Sequence, residues 1–133
     1  MKRLIVAVGS LVLLVLGAVP ASAHFTEFQL APRAGLDQSS DTLFFRMRWR
    51  CPNGETAGGG VTIRQGTTEA PNGIGILCTG NNDFTPLTFD GSGFHFGPAR
   101  AIAHFTFNED NNVFKNSRDI TIGNCSNISW CPG

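Results

Sequence analysis

The chain has 133 residues with ten basic and ten acidic side chains. Charged residues make up 15% of it, against about 25% in an average soluble domain, so ion pairs are too few to be the main source of stability. The balanced charge argues against a general nucleic-acid or polyanion binder. Tyrosine is absent, which excludes a tyrosine-rich binding loop of the antibody type.

The first 23 residues have the pattern of a secretory signal peptide. Lys2 and Arg3 precede an apolar run over residues 4–19, and an Ala-Ser-Ala triplet ends at Ala23. Signal peptidase cuts after such a triplet of small residues. A retained membrane anchor is the alternative, but the apolar run is shorter than the ~20 residues that a bilayer requires. We therefore expect the segment to be removed and a secreted, extracellular chain to begin at His24.

The mature part of the chain is long enough for one domain. Removal of the leader, with its two basic residues, leaves 110 residues, eight basic and ten acidic side chains, and a net charge of −2. This length suits a single core, and no second hydrophobic stretch predicts a membrane span. We expect a folded domain at residues 24–123 and a disulfide-closed tail at residues 124–133.

Alternation of apolar and polar residues predicts strands through most of the mature chain, and no helix. In residues 41–51, Phe45, Met47 and Trp49 alternate with arginines, as in a half-buried strand. In chain order, the predicted strands are residues 25–30, 41–51, 61–65, 74–79, 84–89, 99–107 and 118–122.

Turn-forming residues separate these strands. The dipeptides Asn53-Gly54, Asn72-Gly73 and Asp90-Gly91 predict turns, the glycines at 58–60 predict a flexible bend, and residues 108–112 predict a polar loop. About seven short strands at this spacing favour an all-β fold, a single immunoglobulin-like two-sheet sandwich.

Four cysteines remain after removal of the leader: Cys51, Cys78, Cys125 and Cys131. In an exported chain an even number predicts two disulfides, for which three connectivities are possible. Zinc sites use C-x-x-C or C-x-x-H spacing, which is missing. Because consecutive strands of a sandwich run in opposite directions, the second and fourth predicted strands finish at the same end, and these are the strands that end at Cys51 and Cys78. This favours pairing Cys51 with Cys78 and Cys125 with Cys131.

Several short sequence motifs in the predicted strands and turns resemble those of small secreted actinobacterial proteins of unassigned function. They are Cys51-Pro52, residues 61–66 (VTIRQG), Cys78-Thr79-Gly80, residues 97–103 (GPARAIA) and residues 118–122 (RDITI). The resemblance covers residues 25–122 and implies a β-sandwich held by a Cys51–Cys78 bridge. It implies no activity. The tail with Cys125, Trp130 and Cys131 has no counterpart in that family.

The residues do not predict an enzyme. Gly91-Ser92-Gly93 lacks the strand–turn–helix context of a serine nucleophile, and paired cysteines leave no reactive thiolate. A glycosidase needs two carboxylates facing each other across a cleft. The acidic residues considered for that role lie on turns and edges and are predicted to be apart: Glu27, Glu55, Asp90, Glu109 and Asp110.

Arg46, Arg48 and Arg50 are predicted to leave one side of a strand as a ladder roughly 13 Å long. They could contact an anionic glycan, a phosphate or the carboxylates of a partner protein. The favoured interpretation is an edge or exposed strand that uses positive charge to prevent edge-to-edge aggregation.

His24 raises a copper hypothesis. An N-terminal histidine with a second imidazole resembles the copper site of lytic polysaccharide monooxygenases and periplasmic copper carriers, and such nitrogen ligands suit Cu(II). His104 is the expected partner, since His95 is predicted at the opposite end. The Asp-x-His pair of the carriers is missing. We expect no metal and no cofactor, and a secreted, non-enzymatic domain that binds an unknown protein or glycan partner.

Overall fold

The computed structural model describes residues 24–131, so the predicted signal peptide at residues 1–23 and the last two tail residues lie outside the described part. The all-β prediction is confirmed. The eight strands are β1 (Glu27–Leu30), β2 (Arg33–Asp37), β3 (Thr42–Arg50), β4 (Thr56–Gln65), β5 (Thr68–Leu77), β6 (Asp83–Asp90), β7 (Gly97–Phe107) and β8 (Val113–Asn124), followed by one 3-10 turn at Cys125–Asn127. No helix within residues 24–131 is long and apolar enough to cross a membrane.

The strands form one mixed sheet that curls into a half-barrel. β6 pairs antiparallel with one edge of β3, and β1 and β2 pair in succession with its other edge. β2 also pairs in parallel with β8, and the sheet continues through β7 and β4 to β5. The two predicted layers are therefore joined through β2 into a single hydrogen-bonded sheet that wraps around the core.

A side-chain hydrogen bond and a disulfide help to hold the ends of this curled sheet together. The Asn72 side-chain amide of β5 donates to the Thr88 carbonyl of β6 at 2.6 Å. The Cys51–Cys78 disulfide joins the residues that follow β3 and β5, with 5.2 Å between their Cα atoms. The β5 end is thus tied to the β3–β6 side of the core by a covalent bond and a hydrogen bond.

A second disulfide joins Cys125 to Cys131 and fastens the tail. It packs on β2 at Gly35, where a Cβ atom would collide with the Cys131 sulfur. Only glycine leaves room for the bond at that position. Both bonds join the cysteines that the strand directions favoured, and bonds of this kind persist in oxidising compartments.

The core lies on the concave side of the sheet and is rich in phenylalanine. On β3, Leu43, Phe45, Met47 and Trp49 are buried, as the alternation predicted. Five rings form a cluster with tilted and edge-to-face contacts, a favourable geometry for aromatic pairs; they are Phe25, Phe28, Phe105, Phe107 and Phe114.

Two predicted turns are wrong, because their residues lie inside strands. Residues 58–60 belong to β4, where a Cβ atom at Gly59 would collide with the His104 carbonyl of β7. Asn72-Gly73 belongs to β5 and pairs with β4. The glycines allow close approach of neighbouring strands, and the chain reverses instead at Gly66, which has a φ of 60°.

Candidate functional site

The arginine ladder lies on the convex face of a central strand. Arg46 is half-buried, whereas Arg48 and Arg50 are exposed. The edge placement considered in the sequence analysis is wrong, because β3 is paired along both of its edges. A paired strand needs no charge to prevent edge-to-edge association, so the proposed protective role does not account for these arginines.

The three arginines differ in their neighbours. Arg50 donates from Nε to the Gly80 carbonyl at 3.2 Å and lies opposite Glu27 in the β1–β3 register. Arg48 donates from Nε to the Gln29 side-chain oxygen at 2.7 Å. The Arg46 guanidinium carbon lies over the Trp130 ring, 4.7 Å from its centroid.

Carboxylate pairing separates the ladder arginines from two others on the sheet, Arg64 and Arg100. Arg64 pairs with Glu69 and Arg100 with Asp119, each at 2.6 Å. Within residues 24–131 no ion pair of 4 Å or less involves the ladder arginines. Arg46 and Arg48 are thus the ladder residues that lack a facing acidic partner.

Three adjoining depressions run along this face, with volumes of about 450, 490 and 350 Å³. The first and second share Gln29 and Arg48, and the second and third share Pro32 and Arg46. We call the continuous feature the arginine groove and define it by Gln29, Pro32, Arg46, Arg48, Phe84 and Trp130.

Two aromatic residues complete the groove, and neither was predicted from the sequence to belong to a site. Phe84 lies opposite Arg48 in the β3–β6 register and is 68% exposed. Trp130 reaches Arg46 because the Cys125–Cys131 bond fastens the tail. The alternation in β6 indicates an exposed Phe84. This residue lies on the same face of the strand as the exposed Pro86 and Thr88, and the buried Leu87 points to the other face.

His24 lies elsewhere, in a set of contacts that we call the histidine clamp: His24, Glu55, Phe107 and Asp110. The imidazole Nδ1 lies 2.7 Å from Glu55 Oε1, and Nε2 lies 2.6 Å from Asp110 Oδ2. The ring stacks on Phe107 with 4.2 Å between centroids. The side chain is 12% exposed. The clamp thereby joins the start of the domain to the β3–β4 and β7–β8 loops.

The clamp favours a protonated imidazole. Burial lowers the pKa of His24, but the hydrogen bonds and charges of Glu55 and Asp110 outweigh it, so that the pKa is raised above its usual value. The pKa of Asp110 is lowered, first by the Asn112 backbone N–H and also by His24. Two carboxylates accept from two N–H groups, which only the imidazolium carries.

The structure does not bring together the two histidines of the copper hypothesis. His104 is exposed on the convex face of β7, between the buried Ala103 and Phe105. His24 lies against Phe107, whose ring is in the core. In the part of the chain that the structure describes, no group of three or more His, Cys, Asp or Glu side chains has a metal-binding arrangement.

Three of the acidic residues predicted to be apart meet near the clamp. Glu55 and Asp110 contact His24, and Glu109 accepts a hydrogen bond from the Thr56 backbone N–H at 3.1 Å. Glu27 lies on β1 and Asp90 ends β6, away from these loops. The carboxylates near the clamp are occupied by these contacts instead of facing each other across an open cleft.

A comparison with models of known protein families finds no match. A search of curated proteins finds no similar sequence either.

Proposed function

We propose that the chain is exported and that its mature form is a secreted, non-enzymatic binding domain whose ligand surface is the arginine groove. The ligand is anionic and belongs to a protein or glycan partner. The leader with its cleavage triplet supports export, as does the resemblance to secreted actinobacterial proteins, and two disulfides suit an extracellular location.

We also propose that the fold is immunoglobulin-like. The order β8-β7-β4-β5 corresponds to strands G, F, C and C′ of a variable-type domain, and β1-β3-β6 corresponds to A, B and E. In such domains the broad sheet faces and end loops are available for binding while the core remains closed. The groove lies on the face built by the second group of strands.

The observation that carries the binding proposal is the environment of Arg46. The guanidinium carbon lies over the Trp130 ring, a cation–π contact that holds the group without an acceptor atom and leaves N–H donors for a ligand. A guanidinium restricted by such a contact loses less side-chain entropy when it binds a carboxylate or phosphate. Arg48, on the same face, supplies a second positive charge.

The non-enzymatic part of the proposal rests on where the reactive side chains lie. All four cysteines are in disulfides. Both ring nitrogens of His24 face carboxylates, so the imidazole has no nitrogen directed to a substrate. Catalysis by a histidine base needs a nitrogen within hydrogen-bond reach of the reacting proton.

Affinity electrophoresis tests the proposal, with polygalacturonate in the gel as the anionic probe and dextran as the neutral one. We expect polygalacturonate to retard the protein, and the double variant Arg46→Gln, Arg48→Gln to lose the retardation. The matched control is Arg64→Gln, Arg100→Gln, which removes the same charge from carboxylate-paired positions. If both double variants lose the retardation equally, the net charge of the protein explains the binding, and a specific site in the groove is refuted.

A further inference from the structure

The spacing of the groove arginines is that of an extended chain. Arg46 and Arg48 are alternate residues of β3 and project from the same face. Alternate residues of a strand are separated by roughly 6.6–6.8 Å. An extended peptide laid along the groove would present its own alternate side chains at the same interval, so that two carboxylates could each meet one guanidinium.

The shape of the groove also suits a linear ligand. The three depressions follow the chain from Glu27 through Pro32 to the tail, beside β3. The six intervals between Glu27 and Arg33, at about 3.3 Å each, give a length of about 20 Å, enough for an extended peptide of roughly six to seven residues. A compact ligand would fill one depression, whereas an extended chain can occupy all three.

The residues that line the groove are partly charged and partly apolar, which suits a peptide whose charged and uncharged side chains alternate. Arg33, Arg46 and Arg48 line the groove, against the carboxylates of Glu27 and Asp83. Asp83 accepts a hydrogen bond from the Thr79 hydroxyl at 2.7 Å. Phe84 and Pro32 provide apolar surface between the charges, where uncharged side chains of the ligand could pack.

Aromatic stacking gives less support to a sugar chain. Arg46 already covers a face of the Trp130 ring, which leaves Phe84 as the exposed aromatic ring among the lining residues. We infer that the ligand of the arginine groove is an extended peptide segment with carboxylates at alternate positions. The inference rests on the proposed function, because it names the partner of the same site.

Two capped hexapeptides of identical composition test this inference. In one, glutamate alternates with threonine; in the other, three glutamates precede three threonines. Isothermal titration should give about tenfold tighter binding for the alternating peptide. Arg46→Gln or Arg48→Gln should remove this preference, while Arg64→Gln retains it. Unchanged circular dichroism of each variant serves as the folding control.

The possible failures are distinguishable. Equal affinity for the two peptides would refute the alternating pattern. Arginine-dependent binding of polygalacturonate without binding of either peptide would refute the peptide inference and leave anion binding by the groove intact. If no probe binds, or if all bind the Arg46 and Arg48 variants as well as the parent protein, both the inference and the proposed function are wrong.

Discussion

The histidine clamp and the arginine groove are both charged, and they differ in how those charges are compensated. In the clamp, the imidazole meets two carboxylates and an aromatic ring, and the Asp110 carboxylate also accepts a hydrogen bond from the Asn112 backbone N–H. In the groove, Arg46 and Arg48 contact an indole ring and an amide oxygen, both uncharged. Internally compensated charges contribute to folding, whereas oriented charges without a counter-ion remain available to a ligand.

The largest loss of stability is expected for a change on the buried face of β3, opposite the groove. Trp49→Ala should lower the free energy of unfolding by about 3–5 kcal/mol, because it leaves a large cavity. Trp49→Phe should cost much less, since within residues 24–131 the indole N–H has no hydrogen-bond partner to lose. Urea denaturation measures both. Similar losses for the two variants would contradict the assignment of the cost to lost ring volume, because phenylalanine keeps most of it.

The clamp should contribute measurably to stability. His24→Ala removes two charge-assisted hydrogen bonds and the stacking on Phe107, so we expect a loss of about 1–3 kcal/mol in urea denaturation. The matched control is His104→Ala on the exposed face of β7, which should change stability by less than ~0.5 kcal/mol. Equal effects for the two histidines would show that the clamp does not stabilise the domain.

The contribution of the clamp should depend on pH. Because folding raises the pKa of His24, its stabilisation is fully present below the unfolded value and is lost as the pH rises through the folded value. The cost of His24→Ala should therefore be larger at about pH 5.5 than at about pH 8.5. For Asp110, whose pKa is lowered, stabilisation is lost at the acid end instead. A cost of His24→Ala independent of pH would contradict the imidazolium assignment.

The groove arginines should contribute little to folding. Arg46→Gln and Arg48→Gln should each change the free energy of unfolding by less than ~0.5 kcal/mol, as is usual for surface positions, although the double variant should lose retardation by polygalacturonate. Thermal denaturation of the purified variants provides the measurement. A loss of several kcal/mol would assign these residues a structural role and remove the contrast with the clamp.

The smallest effect is expected for copper. Because both His24 nitrogens face carboxylates and His104 lies on the convex sheet face, Cu(II) binding to protein beginning at His24 should be weak and unchanged by His104→Ala. Isothermal titration with Cu(II) decides this. Tight binding that collapses in His104→Ala would contradict this expectation and make the copper hypothesis the leading one.

Alternation made much of the fold predictable from the sequence. In β3 the buried and exposed residues follow the apolar and polar positions one by one, and Cys51 and Cys78 meet because their strands end at the same side. β2 was not predicted, because Arg33-Ala34-Gly35-Leu36-Asp37 has no β-branched or aromatic residue. The strand is stabilised instead by its parallel pairing with β8 and by the tail disulfide that packs on it.

The site was only partly predictable, for a similar reason. The arginine ladder follows from the two-residue period of a strand, which is a local property. The partners that give each charge its role come from distant parts of the chain: Trp130 for Arg46, and Glu55 and Asp110 for His24. Such pairings depend on strand order and loop position, which local patterns do not determine.

Proton–nitrogen NMR of the arginine Nε–Hε groups tests most directly whether the oriented, unpaired arginines form the ligand site. Polygalacturonate is added to labelled protein that begins at His24, and the resonances are assigned by single Arg→Gln variants. The account predicts progressive shifts for Arg46 and Arg48, with Arg64 and Arg100 unchanged because their carboxylate partners remain in place. Shifts of equal size at all four arginines, or shifts confined to Arg64 and Arg100, would contradict it.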